Sequence, residues 1–314
     1  MEAVAPGARG VAARGLRARL DNPRLLGAAL ITPAGLFVLA LVGGPLLFSV
    51  WLSLTDATAG SRGAHFVGLA NYRAAMADPV FRQSLGNTFL VTIVSQVLVL
   101  VLAKLLANYL AKPFRGKWAL RALILLPWAA PISLGALSWR WIFDSLFSVL
   151  NWTLHALHLL PRSVSPQWLG EPALAKASII AVQTWRILPF ATVIILAGLS
   201  SIPPEVDDAA RVDGAAGLRK LVHVTLPMIL PVLTIALLFG IVFTATDMTV
   251  VTVLTRGGPF NSTHVLASWA YQTGILASSL GAGAAIAMFM FPLLVVVSVL
   301  MLRFARRTDP GTVA

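Results

Sequence analysis

Long apolar runs alternate with short polar stretches along the chain after residue 27. Because a helix of about 20 apolar residues spans the hydrocarbon core of a bilayer, each run predicts a membrane-spanning helix. The stretches between the runs are too short for a separate domain, which takes roughly 50 residues. The pattern predicts an all-α, polytopic membrane protein with six spans, at 28–52, 87–110, 118–142, 174–198, 228–252 and 279–303.

Composition agrees with this organisation. Of 314 residues, 58% are hydrophobic and 11% are charged, whereas about a quarter of an average soluble domain is charged. A disordered chain is excluded, and the absence of cysteine excludes disulfides, thiolate metal sites and cysteine nucleophiles. We predict a basic cytoplasmic tail at 1–27, a transmembrane domain at 28–307 and a short cytoplasmic tail at 308–314.

The distribution of Lys and Arg predicts the orientation. The net charge of +12 would suggest a nucleic-acid partner in a soluble protein, but here the basic residues flank the apolar runs. With the N-terminus inside, fifteen of them fall in cytoplasmic segments and five in outer loops. Both termini are therefore expected in the cytoplasm, with membrane lipid and no nucleic acid as a partner. The first run is longer than a signal-peptide core, so we predict an uncleaved helix.

Two outer loops carry further structure. Residues 143–160 are too short to span and predict a helix lying at the outer surface. Its helical spacing is formed by Leu146, Val149, Leu150, Leu154 and Leu157. Further along, the stretch Arg256-Gly257-Gly258-Pro259 predicts a sharp turn.

The cytoplasmic loop at 201–227 has the signals of two short helices. Ser201 can cap the first helix, prolines are tolerated in its first turn, and acidic residues favour that end of the helix dipole. Asp213-Gly214 ends it, a basic second helix follows, and Leu226-Pro227 opens span five. This element is either a hairpin on the membrane face or a docking element for a partner.

The same loop carries a family resemblance. Asp208-Ala209-Ala210-x-x-Asp213-Gly214-Ala215, ending in Leu226-Pro227, closely resembles the EAA loop of carbohydrate-type ABC importer permeases. The family's glutamate is Asp208 here, one methylene shorter, and Glu205 lies one turn earlier. The likeness extends over about 28–307 through Val67–Tyr72, Asn87-Thr88, Phe114–Gly116, Leu126–Trp128 and Leu254–Pro259.

The resemblance implies a fold, a location and partners. It implies the type I ABC importer permease fold, in a bacterial inner membrane, with the loop fitting a cleft on a cytoplasmic ATPase. The implied partners are a second, homologous permease, two ABC ATPase subunits and a periplasmic or lipid-anchored solute-binding protein. ATP and Mg would be bound by the ATPase, and no cofactor by this chain. The implied ATPase-coupling residues are Glu205, Asp208, Ala209, Ala210, Asp213, Gly214, Ala215 and Pro227.

Charged residues inside the bilayer are costly and mark candidate pathway groups. Arg186 is predicted near mid-membrane, and Asp247 near the outer boundary. Because of that difference in depth, a direct pair is not expected. Arg186 is instead predicted to face a wet cavity or the partner permease, or to pair across that interface. Each residue also has a structural alternative, with Asp247 as a loop anchor. Gln183 and Trp185 share the helix of Arg186, and Trp185 could stack on a sugar or serve as a packed anchor.

No enzymatic chemistry is supported. Gly116-Lys117 lacks the earlier glycine of a phosphate-binding loop, and the chain has no HExxH zinc motif. The leading hypothesis is a permease for a mono-, di- or oligosaccharide or a polyol delivered by an external binding protein. The alternatives are an ion-gradient-driven transporter, an intramembrane enzyme, or an ABC permease for glycerol phosphate.

Overall fold

The computed structural model of the chain describes residues 23–61 and 63–308. Nearly all of the predicted tails at 1–27 and 308–314 lies outside the described residues. The chain divides after Leu52 into two units. In chain order the helices are α1 Leu25–Ser53, α2 Ala70–Ala77, α3 Pro79–Ala111, α4 Lys117–Ala129, α5 Ile132–Ile142, α6 Val149–Ala156, α7 Pro172–Ser200, α8 Pro204–Val212, α9 Gly217–Ala245, α10 Thr249–Leu254, α11 Leu266–Tyr271 and α12 Leu280–Thr308.

The predicted spans are present, and the third is bent. Over the described ranges, α1, α3, α7, α9 and α12 are each long and apolar enough to cross a membrane. Helices α4 and α5 are long and apolar enough to cross a membrane only when they are counted together, and they meet at an angle of 95°. The span predicted at 118–142 is therefore present as this bent pair. The cause is local: Ala130 is extended, with ψ 145°, because proline at 131 disfavours a helical conformation in the residue before it.

Helix α9 begins earlier and ends earlier than the predicted fifth span. It runs continuously from Gly217, so the expected second short helix is the first turn of α9 and not a separate element. Pro227 lacks an N–H, and the turn before it, Leu221–Thr225, is a π-turn in which Leu226 N–H bonds to Leu221 O. At its other end α9 stops at Ala245, so the predicted end at residue 252 is also wrong.

The core of the second unit lies between α3 and α7, which run in the same direction. Val99, Ala103 and Ala107 of α3 are buried at four-residue spacing against Ile187 and Ala191 of α7. Alanine at these positions allows the two helix backbones to approach closely. Close packing matters here because helices in lipid associate through van der Waals contacts and not through the hydrophobic effect. Helix α9 packs on both, and α12 packs on α9. We call the end of this bundle that carries α8 the α8 end.

The surface helix is shorter than predicted. Only Val149–Ala156 is helical, so Leu146 and Leu157 lie outside it. Asp144 accepts hydrogen bonds from Leu146 N–H and Phe147 N–H, at 2.8 and 2.9 Å. These bonds hold a turn at 144–147, so the helix begins only at Val149. The Ser148 side chain then accepts from Asn151 N–H and caps α6.

The long loop between α10 and α11 is tied to the start of α3. The Asn87 amide donates to Ser262 O at 2.7 Å and to His264 O at 2.9 Å. Leu266 N–H donates to the hydroxyl of Thr88 at 2.8 Å. The sharp turn predicted at 256–259 is confirmed, since Arg256 has φ 52° and Gly257 has φ 85°.

His264 gives this loop a predicted pH dependence. Its ring is 3% exposed, and burial lowers the pKa of His264 below its usual 6.5. Below pH 6.5 the unfolded chain therefore binds this proton more readily than the folded one, so stability falls as the pH drops through this range. We expect the thermal stability of the purified chain to decrease from pH 7.5 to 5.5, and to decrease less in His264→Gln. An identical decrease in the two proteins would contradict this origin.

Candidate functional site

Helix α8 forms where the predicted docking element lies. It starts at Pro204, with Glu205 and Asp207 in the first turn and Arg211 in the last, as the helix dipole favours. The predicted cap at Ser201 is wrong: its hydroxyl donates to Gly198 O at 2.8 Å and so belongs to the end of α7. Gly214, with φ 67°, lies just after the helix, in a left-handed conformation that suits glycine.

The predicted coupling residues divide into an exposed face and a buried side. Ala210 is 5% exposed, and its carbonyl accepts from Ala215 N–H at 2.8 Å, so Ala210 packs within the chain. Ala215 is half-buried, and Pro227 is exposed but lies within α9. A partner can therefore reach one surface, which we call the acidic face, formed by Glu205, Asp208, Ala209, Asp213 and Gly214.

Ion pairs connect α8 to the first turn of α9. The carboxylate of Asp207 pairs with the ammonium of Lys220 and, at 3.1 Å, with the guanidinium of Arg211. The hydrogen bond from Lys220 is the main cause that lowers the pKa of Asp207. Asp208 lies 3.6 Å from Arg211. Asp207 thus faces α9, and the carboxylates of Glu205 and Asp208 remain on the acidic face.

The second candidate site is a buried polar cluster in the middle of the bundle. The guanidinium of Arg186 pairs with the carboxylate of Asp247, whose side chains are 19% and 5% exposed. The Gln183 amide donates to the same carboxylate at 3.0 Å. The other Asp247 oxygen accepts from Thr249 N–H at 2.6 Å and so anchors α10. Three of the four predicted pathway residues therefore meet at one point.

The expectation that Arg186 and Asp247 would not pair is wrong, and helix register explains why. Gly198 of α7 lies against Val232 of α9. At 1.5 Å per residue, Arg186 lies about 18 Å from Gly198 along α7. Asp247 lies about 22 Å from Val232, counted along α9 and the residues that follow it. The long Arg186 side chain spans the remaining distance. The predicted depths of Arg186 and Asp247 were counted from the membrane boundaries, and such a count does not include the register between the two helices.

Trp185, the fourth predicted pathway residue, packs between helices. Its ring lies against Gly135 of α5 and makes an edge contact with Trp139, with ring centroids 5.7 Å apart. This contact matches the packed-anchor alternative. The indole is half-buried.

A polar stripe on α3 is not among the residues predicted for the site. It comprises the buried side chains of Ser84, Thr88, Thr92 and Gln96, each four residues after the one before, together with Ser95, three residues after Thr92. The Gln96 amide donates to the Thr244 hydroxyl at 3.0 Å. The hydroxyls of Thr92 and Ser95, and the carbonyl oxygen of Gln183, are buried without a hydrogen-bond partner. The helical spacing of these polar residues within an apolar run was the available signal.

This stripe borders a cavity of about 400 Å³ between α3, α9 and α12. Thr88, Thr92 and Gln96 lie on one side of it, and Leu237 and Leu293 on the other. Neutral hydroxyl and amide groups bind other hydroxyls and do not supply acid–base catalysis at neutral pH. No group of three His, Asp or Glu side chains that could hold a metal ion occurs within 23–61 and 63–308.

Comparison with known proteins agrees with this arrangement. The sequence model of the family described as binding-protein-dependent transport system inner membrane component matches residues 99–310. The chain is 32% identical to the sulfoquinovosyl glycerol transport system permease protein SmoG of Agrobacterium fabrum, over 91% of this chain and 92% of that protein. It is 31% identical to the trehalose/maltose transport system permease protein MalF of Thermococcus litoralis, over 90% and 94%.

The fold also has solved counterparts. A chain of the bacterial alginate ABC transporter, crystallised in complex with alginate pentasaccharide-bound periplasmic protein, superposes with a TM-score of 0.75. The match covers 92% of this chain and 96% of that chain, at 19% sequence identity.

The buried ion pair predicts a strong coupling between two substitutions. Arg186→Gln or Asp247→Asn alone leaves a buried charge without its partner, and each should cost about 3–5 kcal/mol of stability. The double variant removes both charges and should recover most of that loss. Thermal unfolding of the four purified proteins measures the cycle, with Arg82→Gln, at an exposed site on α3, as a control. Additive losses in the double variant would refute the pair.

Proposed function

This chain belongs to the family of binding-protein-dependent transport system inner membrane components, and from that membership we propose that it is a permease subunit of an ABC importer for carbohydrates. It is an integral protein of the inner membrane with several apolar helices. The family consists of transport permeases and not of enzymes. An ion-gradient-driven transporter and an intramembrane enzyme are thereby set aside.

Carbohydrate is the substrate class that the relatives favour. SmoG is named for sulfoquinovosyl glycerol and MalF for trehalose and maltose, and both match nearly the whole chain. A phosphorylated substrate such as glycerol phosphate fits less well, because the cluster's one arginine, Arg186, already pairs with Asp247.

The observation that carries the proposal is the exposed acidic face of α8 and its attachment to two spans. Three residues connect α7 to α8, and four connect α8 to α9. The ion pair of Asp207 with Lys220 also links α8 to α9. A force applied to α8 therefore reaches α7 and α9, which carry Arg186 and the chain leading to Asp247. ATP binding and hydrolysis belong to a separate ATPase subunit that contacts the acidic face.

ABC importer permeases work with ATPase and solute-binding protein partners. For this chain we infer a second, homologous permease, two ABC ATPase subunits that bind ATP and Mg, and a periplasmic or lipid-anchored binding protein. The fifteen basic residues on one side support a cytoplasmic location for both termini and for α8. The acidic face then meets the ATPase, and the loops that contain α6 and the Arg256 turn meet the binding protein.

The substrate pathway is proposed to pass the polar cluster and the stripe on α3. Gln183 is the best candidate contact, because its buried carbonyl oxygen lacks a hydrogen-bond partner. Arg186 and Asp247 hold the Gln183 side chain in place, and Trp185 supports the helix from its other side. Opening of the permease pair would expose these groups first to one side of the membrane and then to the other.

Crosslinking tests the contact with the ATPase directly. The chain has no cysteine, so one introduced at Ala209 on the acidic face is its only thiol. We expect Ala209→Cys to crosslink to the ATPase subunit in native membranes, in a yield that changes when ATP is added. Ala277→Cys, an exposed alanine at the opposite end of the bundle, is the matched control. Absence of any ATPase adduct from Ala209→Cys would refute the coupling role.

Uptake tests the same element functionally. Gly214→Asp places a side chain in a left-handed backbone with open space around it, so the chain should insert normally while the turn after α8 is distorted. We expect sugar uptake to be lost with membrane levels unchanged. Gly60→Asp is the control, because Gly60 has φ 85°, equally open surroundings and a position at the opposite end. Full uptake by Gly214→Asp would contradict the assignment.

A further inference from the structure

A second cavity lies at the α8 end, apart from the polar cluster. It has a volume of about 1050 Å³ and separates the end of α3 from α8 and the first turns of α9. Its charged lining consists of four cations and two carboxylates. These are Lys104, Lys112, Arg211 and Lys220, with Asp207 and Asp208.

The two carboxylates are already neutralised. Asp207 pairs with Lys220 and Arg211, and Asp208 lies beside Arg211. Neither Lys104 nor Lys112 has a carboxylate within ion-pair distance in the part of the chain that the structure describes. The cavity therefore contains two cations in excess, both on its α3 side.

Lys104 is the more constrained of the two. It is half-buried within α3, about 10 Å before the end of that helix at Ala111. Its ammonium donates a hydrogen bond to the neutral amide oxygen of Asn108. Partial burial of a charge with only a neutral partner is unfavourable, and an anion in the cavity would offset that cost.

We propose that this cavity binds a phosphate group, with the ammonium groups of Lys104 and Lys112 as its ligands. An ammonium binds phosphate as a point charge, without the directional fork of arginine. Lys104 and Lys112 are eight residues apart, about 12 Å along the helix axis, so their long side chains have to converge from two sides on one phosphate. The Asn108 amide orients Lys104 toward the opening. The proposal concerns a ligand other than the transported substrate and does not depend on what that substrate is.

The position of the cavity favours a lipid headgroup as the source of the phosphate. It opens where the spans end, at the level at which headgroups lie, and Leu199 and Leu218 of its wall are apolar. Basic pockets between spans on the cytoplasmic side bind anionic headgroups. Free phosphate offers the same chemistry, and the experiment separates the two.

Occupancy would link the membrane to α8. The same cavity is lined by Arg211 of α8 and Lys220 of α9 as well as by the lysines of α3, so a phosphate that reaches these cations bridges the elements electrostatically. An occupied site joins α3 to these cations, and an empty one leaves the two lysines without a counter-ion.

The first experiment measures lipid retention. The full-length chain, purified with its partner subunits in a mild detergent, is examined by native mass spectrometry for bound phosphatidylglycerol. We expect the wild type to retain it and Lys104→Gln/Lys112→Gln to lose most of it. The matched control, Lys117→Gln/Arg219→Gln, removes two cations at the same end that do not line the cavity and should retain it. Lys104→Arg/Lys112→Arg keeps both charges and should also retain the lipid.

The second experiment identifies the source. Delipidated wild-type complex is placed in phosphatidylcholine nanodiscs, and the rate of amine labelling at Lys104 is followed by peptide mass spectrometry. Slower labelling with added phosphatidylglycerol supports a headgroup site, and slower labelling with inorganic phosphate alone supports a soluble ligand. Unchanged labelling with both would overturn the proposal. So would a carbodiimide crosslink from Lys104 to an ATPase carboxylate, because a protein side chain would then fill the cavity.

Discussion

A charge inside the hydrocarbon core needs a partner, and the Arg186–Asp247 pair meets that constraint within this chain. The pair fixes the chain leaving α9 against the middle of α7, and the second carboxylate oxygen of Asp247 starts α10 through Thr249 N–H. From α10 the chain continues into the loop that Asn87 and Thr88 bind to α3. The architecture at the end opposite α8 thus depends on one buried ion pair.

The two ends of the bundle are built differently, and this difference suits transmission of force. At the end opposite α8, buried hydrogen bonds of Asn87 and Thr88 connect elements far apart in sequence. At the α8 end, the contacts are half-exposed ion pairs of Asp207 with Lys220 and Arg211. Exposed pairs contribute little stability and rearrange easily, whereas buried neutral bonds are costly to break. In the proposed coupling role, a movement of α8 would pass through its short connections to α7 and α9 while the bonds at the opposite end stay intact.

Hydropathy predicted the spans because bilayer thickness sets helix length independently of tertiary contacts. Capping and dipole rules likewise predicted a helix that ends before Gly214. The predictions that were wrong depend on contacts between helices, which the sequence alone does not show. Pro227, expected to open span five, instead follows a π-turn inside α9, which begins ten residues earlier at Gly217. The Arg186–Asp247 pair depends on the register of two helices, which only packing determines.

The right-angled junction at Ala130 has a consequence for the surrounding bilayer. Helix α4 has 13 residues and is about 20 Å long, against a hydrocarbon thickness of about 30 Å. Because α5 turns away at 95°, α4 presents an apolar wall that is shorter than the hydrocarbon core beside it. Such hydrophobic mismatch is relieved by local thinning or by tilt, at a modest cost for each ångström. The length of the surrounding fatty acids thereby becomes part of the conformational energetics of the protein.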